Sequence, residues 1–280
     1  MKLAVSMYSY YRTVRDGGMD LPGFIREAKK IGADGVELLD FFYKDVESDR
    51  RAALDALTET GLPCPIFSVA QNFAKPLASE RAHELEKIRF GIEEAGHFGA
   101  GVVRVFAGDV SPGVTFDEAR AWIVEGLSEA SKFAADAGVK LALENHGKLA
   151  GRGEQVRGLI EDVRAACGND ALGANPDTGN FLLVDQASHD AIAEVARLAN
   201  MVHFKDFTHV TSDYTGHVFE SLGGARYAGA AVGEGVVDLE ACVDALRSAG
   251  FDGWLSIEFE GEEDPLAAVP RCVANARRYL

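Results

Sequence analysis

Trp254-Leu-Ser-Ile-Glu-Phe-Glu260 alternates strictly between apolar and polar side chains, which is the period of a β-strand. Leu255, Ile257 and Phe259 lie on one face, and Ser256, Glu258 and Glu260 on the other. A strand of a parallel sheet is covered on both faces and should be almost wholly apolar, so the charged face requires an explanation. The same reading applies upstream. In Lys140–Asn145, Leu141 and Leu143 share one face and Glu144 turns to the other; in Met201–Lys205, Val202 and Phe204 oppose His203 and Lys205; in Leu172–Asp177, Asn175 and Asp177 are in phase.

These four runs belong to a longer series. Strands are also expected at Leu3–Tyr8, Gly35–Leu39, Pro65–Val69 and Val102–Phe106, and between the strands apolar residues recur at helical spacing near 21–32, 47–60, 79–98, 116–138, 154–167, 188–199 and 238–249, with a closing helix near 264–279. Gly61, Gly138 and Gly250 read as helix stops, and Thr115 or Ser79 as caps. The glycine-rich stretch Ser221–Gly235 reads as a long loop between the seventh strand and its helix, not a domain linker. Eight strands alternating with eight helices over 280 residues predict one (β/α)8 TIM barrel, a parallel eight-stranded barrel surrounded by helices and spanning residues 1–280. The charged faces then point down the barrel axis, at the C-terminal ends of the strands, where such barrels carry their active sites.

Composition narrows the partners. A hydrophobic fraction of 47% and a charged fraction of 26% describe a globular chain with an ample core. A formal charge of −16, spread along the sequence, repels phosphate backbones and anionic lipid and argues against nucleic acid or a membrane as partner. The N-terminal MKLAVSMYSYY is only briefly apolar and reads as a strand, not a signal peptide, and the default location is the cytoplasm. Cys64, Cys167, Cys242 and Cys272 are widely spaced, form no CxxC pair, and read as buried thiols in a reducing compartment.

Glu144, Asp177, His203 and Glu258 thus come from the fifth to eighth strands and converge on one axis. Three carboxylates do not share a water-poor pocket in ionised form without a cation, and a divalent metal supplies that charge. A ligand set of oxygens with one imidazole suits Mn²⁺ best, with Mg²⁺ or Co²⁺ as alternatives. Glu260 competes with Glu258 for the ligand role but lies nearer the strand end.

These residues resemble the xylose-isomerase-like TIM barrel superfamily, the sugar phosphate isomerase/epimerase family. The matching pieces are Gly35-Val-Glu-Leu38, Leu141-Ala-Leu-Glu-Asn-His146, Asn175-Pro-Asp-Thr-Gly179, His203-Phe-Lys-Asp206, Gly233-Glu-Gly-Val-Val-Asp238 and Ser256-Ile-Glu-Phe-Glu-Gly261. The resemblance implies a divalent-metal-dependent enzyme of carbohydrate metabolism acting on a small sugar or polyol, with Glu144, Asp177, His203 and Glu258 as metal ligands and the two glutamates as acid/base pair. It also implies a homo-oligomer, the form common in the family. One departure stands out: ketose 3-epimerases of this kind carry a substrate-binding histidine three residues after the aspartate, where this chain has Asn180.

The expected chemistry is removal of a proton beside a carbonyl, with one glutamate taking the proton and the other returning one. Return to the opposite face gives epimerisation, return to the neighbouring carbon gives isomerisation, and expulsion of a β-substituent gives dehydration or glycoside cleavage, the lyase alternative. His146, in phase with Glu144, is a candidate proton donor or a loop histidine bonded to backbone. Lys205 is a candidate for binding a substrate oxygen. Arg104, inward on the fourth strand, either forks to a substrate carboxylate or phosphate or neutralises Glu37. Arg226 matches a substrate-contacting arginine of the family by position. Tyr8, Tyr10 and Tyr11, with Phe41, Phe42, Asn72 and Phe73, either wall the mouth or cap the core. An endonuclease-IV-like hydrolase would need a histidine-rich metal cluster and a basic groove, and a non-catalytic sugar-binding barrel would exchange no substrate proton.

Overall fold

The computed structural model describes residues 1–110 and 112–280. Its parallel strands are β1 (Lys2–Ser6), β2 (Gly35–Leu39), β3 (Ile66–Ser68), β4 (Val102–Val105), β5 (Lys140–Glu144), β6 (Leu172–Asn175), β7 (Val202–Phe204) and, after three further strands, β11 (Trp254–Ile257). They hydrogen-bond in the order β6-β5-β4-β3-β2-β1-β11-β7. Isolated parallel bridges Asp177↔His203 and Ala174↔Ala199 join the two ends into a nearly closed ring. Around it lie α2 (Leu21–Lys30), α3 (Val46–Thr60), α4 (Ala78–Phe98), α5 (Phe116–Ala137), α6 (Gly153–Cys167), α7 (Ser188–Val195), α8 (Leu239–Ser248) and α9 (Pro265–Ala276), preceded by the short α1 (Tyr11–Arg15). The expected (β/α)8 barrel is therefore the fold.

Strand alternation separates two apolar regions. Outward residues such as Leu3, Val36, Leu38, Val103, Leu141, Leu143, Val202, Phe204, Leu255 and Ile257 pack under the helices in one large core. Inward residues split by height: Ala4, Ile66, Ala142 and Met201, with Val102 and Trp254 against them, fill the lower barrel with hydrocarbon. Above them Ser6, Glu37, Ser68, Arg104, Glu144, Asn175, His203 and Ser256 are all buried. The interior is thus a dry plug beneath a polar layer, which keeps water from entering from below.

Local signals account for most boundaries. Thr115 makes a reciprocal capping box with Glu118 at the start of α5, and Gly61, Gly138 and Gly250 all take positive φ after their helices. Ser79 does not cap: Leu77 holds that position, with Ser79 already in the first turn of α4. The first strand ends at Ser6, not Tyr8, because Ser6 Oγ accepts the Tyr8 N–H and starts a 3₁₀ turn over Met7–Tyr10. That turn buries Tyr10 against Phe24 and leaves Tyr8 and Tyr11 stacked at the mouth.

The largest correction lies between β7 and α8. Ser221–Gly235 is not simply a loop: it carries β10 (Arg226–Ala230), which with β8 (Asp206–His209) and β9 (Phe219–Glu220) upstream forms an antiparallel sheet in the order β8-β10-β9. It docks on the segment after β11 through the bridge Gly229↔Gly261, where a side chain on Gly229 would strike the Glu260 backbone at 2.4 Å.

Asp206 ties this excursion to the barrel. Its carboxylate accepts from the backbone N–H groups of Phe207, Gly233, Gly235 and Val237 at 2.9 to 3.1 Å, and Gly235 must be glycine because a Cβ there would lie 2.2 Å from Asp206 Oδ1. Burial raises the Asp206 carboxyl above its ordinary range, and these four donors offset only part of that. Asp206→Ala would strand four donors, so a loss of ~3–5 kcal/mol in stability is expected on denaturant titration; a loss below ~1 kcal/mol would show that the carboxylate does not hold the segment.

No helix among the described residues is long and apolar enough to cross a membrane. Cys64, Cys242 and Cys272 are buried and pushed up to about 12 by that burial, as buried thiols should be, whereas Cys167 is half-exposed.

Candidate metal centre and active site

Glu144 closes β5, His203 sits within β7, Asp177 follows β6, and Glu258 follows β11. Each offers one ligand atom, all four atoms lie within 4.8 Å of one another, and all four residues are buried. His203 Nδ1 is 3.1 Å from Glu144 Oε2, 3.7 Å from Glu258 Oε1 and 3.8 Å from Asp177 Oδ2. His203 Nδ1 and Asp177 Oδ2 are buried without a hydrogen-bond partner.

The other ring nitrogen fixes the tautomer. His203 Nε2 lies 3.1 Å from both oxygens of Glu37. A carboxylate that also accepts the hydroxyls of Ser68 and Ser256, each at 2.5 Å, leaves Nε2 only the donor's role. Nδ1 is thereby the ring nitrogen aimed into the cage, the arrangement in which a metal-ligating histidine is oriented by a carboxylate behind it. The donor set and the two orphaned atoms fit a divalent cation.

The cage also contains its own counter-charges. Lys205 Nζ contacts Glu258 Oε2 at 2.6 Å, Glu260 Oε2 at 3.0 Å and Asp177 Oδ2 at 3.2 Å. Burial works against the charged form of both cations, but facing carboxylates prevail. Lys205 is raised well above its ordinary value by Asp177, Glu258 and Glu260, and His203 by Glu37, Glu258 and Glu144. Burial raises Glu144, yet His203 and Arg104 overcome this and hold it below the usual carboxylate range. Asp177 moves the other way: burial pushes it up to about 6, Lys205 opposing and the Glu144 and Glu258 charges adding to the rise.

An ion bound through His203 Nδ1 would have to displace the proton that the facing carboxylates favour there. Binding is expected to release about one proton per ion near neutrality and to tighten about tenfold per pH unit while His203 remains protonated. Calorimetric titration in buffers of different ionisation enthalpy checks this; a buffer-independent heat would contradict the protonated imidazole.

The remaining sequence candidates divide cleanly. Arg104 does not pair with Glu37: its Nε lies 3.4 Å from Glu144 Oε2, its Nη1 donates to the Val69 carbonyl, and Phe106 stacks on the guanidinium. Glu37 is already held by His203 and two serines, so the strand-two carboxylate is closed to it. Asn180 donates to Glu144 Oε1 at 3.2 Å and lies 3.4 Å from Lys205 Nζ. His146 stacks on Phe106 with centroids 4.1 Å apart. Tyr8, whose phenol is pushed up to about 12 by burial and by Glu260 and Glu258, faces the same space. Arg226 is not brought to the site: its guanidinium donates to the Thr211 carbonyl in the excursion sheet, and it lines neither cavity at the mouth.

Two adjoining cavities open there. The inner, about 400 Å³, is lined by Glu144, Glu258, Arg104, Asn180 and Lys205; the outer, about 440 Å³, by Arg12, Arg15, His217 and Glu262; Tyr8, Tyr11, His146, Phe219 and Glu260 belong to both. Of the residues expected at the mouth, Tyr8, Tyr11 and Phe41 line a cavity, while Tyr10, Phe42 and Phe73 are core and Asn72 lines neither cavity.

Sequence reasoning passed over Glu37 as anything but an ion-pair partner, although a charge in the middle of Gly35-Val-Glu-Leu-Leu39 was open to the test that singled out Glu144. It gave no role to Asn145, whose side chain brackets Asp177 through that residue's N–H and carbonyl, nor to Phe219 and His217, which only the excursion sheet delivers.

Residues 25–276 match the family described as xylose isomerase-like TIM barrel. Among curated proteins, L-ribulose-5-phosphate 3-epimerase UlaE of Escherichia coli (strain SMS-3-5 / SECEC) is 29% identical over 276 residues, covering 90% of this chain and 86% of that protein. Among solved structures, a xylose isomerase-like TIM barrel protein from Mycobacterium smegmatis in complex with magnesium superposes with a TM-score of 0.75 at 20% identity, covering 99% of this chain and 95% of the other. The probable 3-DHS dehydratase AsbF from Bacillus anthracis superposes with a TM-score of 0.76 at 20% identity, covering 98% and 99%.

Proposed function

Because this chain belongs to the xylose isomerase-like TIM barrel family, we propose that it is a divalent-metal-dependent sugar isomerase/epimerase that moves a proton at a carbon beside a carbonyl. The observation that carries this reading is the cage itself: four ligand atoms within 4.8 Å, with the histidine nitrogen aimed inward by Glu37. Glu144, Asp177, His203 and Glu258 would hold the ion, Mn²⁺ suiting this oxygen-rich set best and Mg²⁺ or Co²⁺ also fitting it. Bound there, the ion would supply positive charge to substrate oxygens as negative charge builds in the enediolate.

The chain's own groups do the rest. Glu144 and Glu258 come from different sides of the barrel, so one carboxylate removes the proton and the other returns one. Asn180 and Asn175 each donate to Glu144, at 3.2 Å, and fix its carboxylate. Lys205, 2.6 Å from Glu258, holds that carboxylate in place. Arg104 keeps its Nε free of hydrogen bonds beside Glu144 and offers it to a substrate hydroxyl, while the Tyr8 phenol remains protonated as a donor.

A lyase is the second reading, favoured by one placement: His146 lines both cavities and could protonate a leaving group at the β-carbon. Both are tested by incubating Mn²⁺-loaded protein in D₂O with a panel of keto sugars. Deuterium next to the carbonyl without loss of water or aglycone is expected; release of either identifies the lyase, and no exchange with any keto sugar overturns the proposal.

A further inference from the structure

The residues that line only the outer chamber are not used by the chemistry just described. That chamber adjoins the inner one across five shared residues and roughly doubles the room at the mouth. Each chamber by itself falls within the ~300–1,000 Å³ range of small-molecule sites. Aromatic faces bound it on two sides. Tyr8 in the turn after β1 stacks on Tyr11 at the start of α1 with centroids 5.5 Å apart, and His217, two residues before β9, meets Phe219 edge-on at 4.5 Å. Such faces take the C–H face of a sugar ring or an aryl ring.

Charge weighs against the other obvious occupant, a phosphoryl group. Among the described residues of the outer chamber Arg12 is fully engaged and Arg15 is paired through Nε. Arg12 donates to the carbonyls of Gly261, Glu262 and Glu263, and Arg15 to Asp16 at 3.1 Å. Lys205, at the boundary, is shared among three carboxylates. Glu260 and Glu262 face the same space, so a phosphate there would meet like charge, opposed by the Arg15 guanidinium, which is paired through Nε to Asp16.

We infer that the substrate is a neutral keto sugar joined to a second ring, either another sugar or an aryl group, with the reacting carbon beside Glu144 and Glu258 and the second ring in the outer chamber between Tyr8–Tyr11 and His217–Phe219. This rests on the isomerase/epimerase reading and narrows its substrate. A phosphorylated monosaccharide is then a poor substrate.

The test compares deuterium exchange in D₂O, followed by NMR, for fructose, ribulose 5-phosphate, isomaltulose and phenyl 3-oxo-β-D-glucopyranoside. At least one of the two ring-bearing compounds is expected to exceed both others in kcat/KM by about tenfold, and His217→Ala to reduce that preference about fivefold, the worth of one aromatic contact. Equal or faster exchange with fructose or ribulose 5-phosphate overturns the inference while leaving the proposed chemistry intact, as does a preference unaffected by His217→Ala. If no keto sugar exchanges, it is the chemistry that fails, and calorimetry with the unreactive phenyl β-D-glucopyranoside decides the chamber. Binding that weakens in His217→Ala then supports it, and no binding to the native protein, or binding that His217→Ala leaves unchanged, overturns it.

Discussion

Glu258→Gln is expected to lower kcat about 10³-fold while the protein stays folded and metal-loaded. Glutamine keeps the size of the side chain and one carbonyl oxygen for the cage, but it cannot accept a proton. Lys205 loses its 2.6 Å partner yet retains Asp177 and Glu260, so the ammonium is not left isolated. The variant also separates the two glutamates. With Glu144 alone, a proton can still be taken from and returned to one face. In D₂O one epimer should therefore exchange without inverting, and the other should be inert; Glu144→Gln should show the opposite preference. Elemental analysis of each variant distinguishes loss of the acid/base group from loss of the ion. Near-native turnover in Glu258→Gln, with metal present, would remove Glu258 from the chemistry.

Glu37→Ala is expected to weaken metal binding about 10- to 100-fold, although Glu37 is not itself among the cage residues. Its carboxylate takes three donors, His203 Nε2, Ser68 and Ser256. Without it the imidazole can rotate, and its tautomer is no longer imposed. Removing one member of a buried ion pair also costs ~3–5 kcal/mol, so the alanine variant must be read beside Glu37→Gln. Glutamine still accepts from Nε2 and should recover part of the affinity. Competition against a chelator gives the constants, and kcat at saturating metal should recover more than the affinity does. Native affinity in Glu37→Ala would mean that packing alone orients His203.

The two variants probe different kinds of legibility. Glu258 was visible in seven residues, because a strand buried on both faces has no use for a carboxylate unless something along the barrel axis needs it. The same test found Glu144, Asp177 and His203 and placed them on one axis before any contact was known. Alternation says which way a side chain points; it does not say what it meets. Arg104 was correctly turned inward, with a substrate anion and Glu37 as its alternatives, and the stagger of the strands brings it to Glu144 instead of Glu37. Arg226 had the expected place in the chain, but its strand pairs with Asp206–His209 and directs the guanidinium to Thr211.

The sequence by itself determined the eight-fold βα order, the face each strand turns to the axis and the four residues of the cage, because these follow from a two-residue period and from the cost of burying charge. Only the tertiary structure decided who partners whom: Glu37 behind His203, 166 residues away, Ser256 against the same carboxylate across 219, and the Asp206 carboxylate closing over Gly233 and Gly235. Those pairings depend on how far each strand is staggered around the ring and on which distant loop folds over the mouth. Both are set by contacts between segments whose separation in the chain leaves no local pattern.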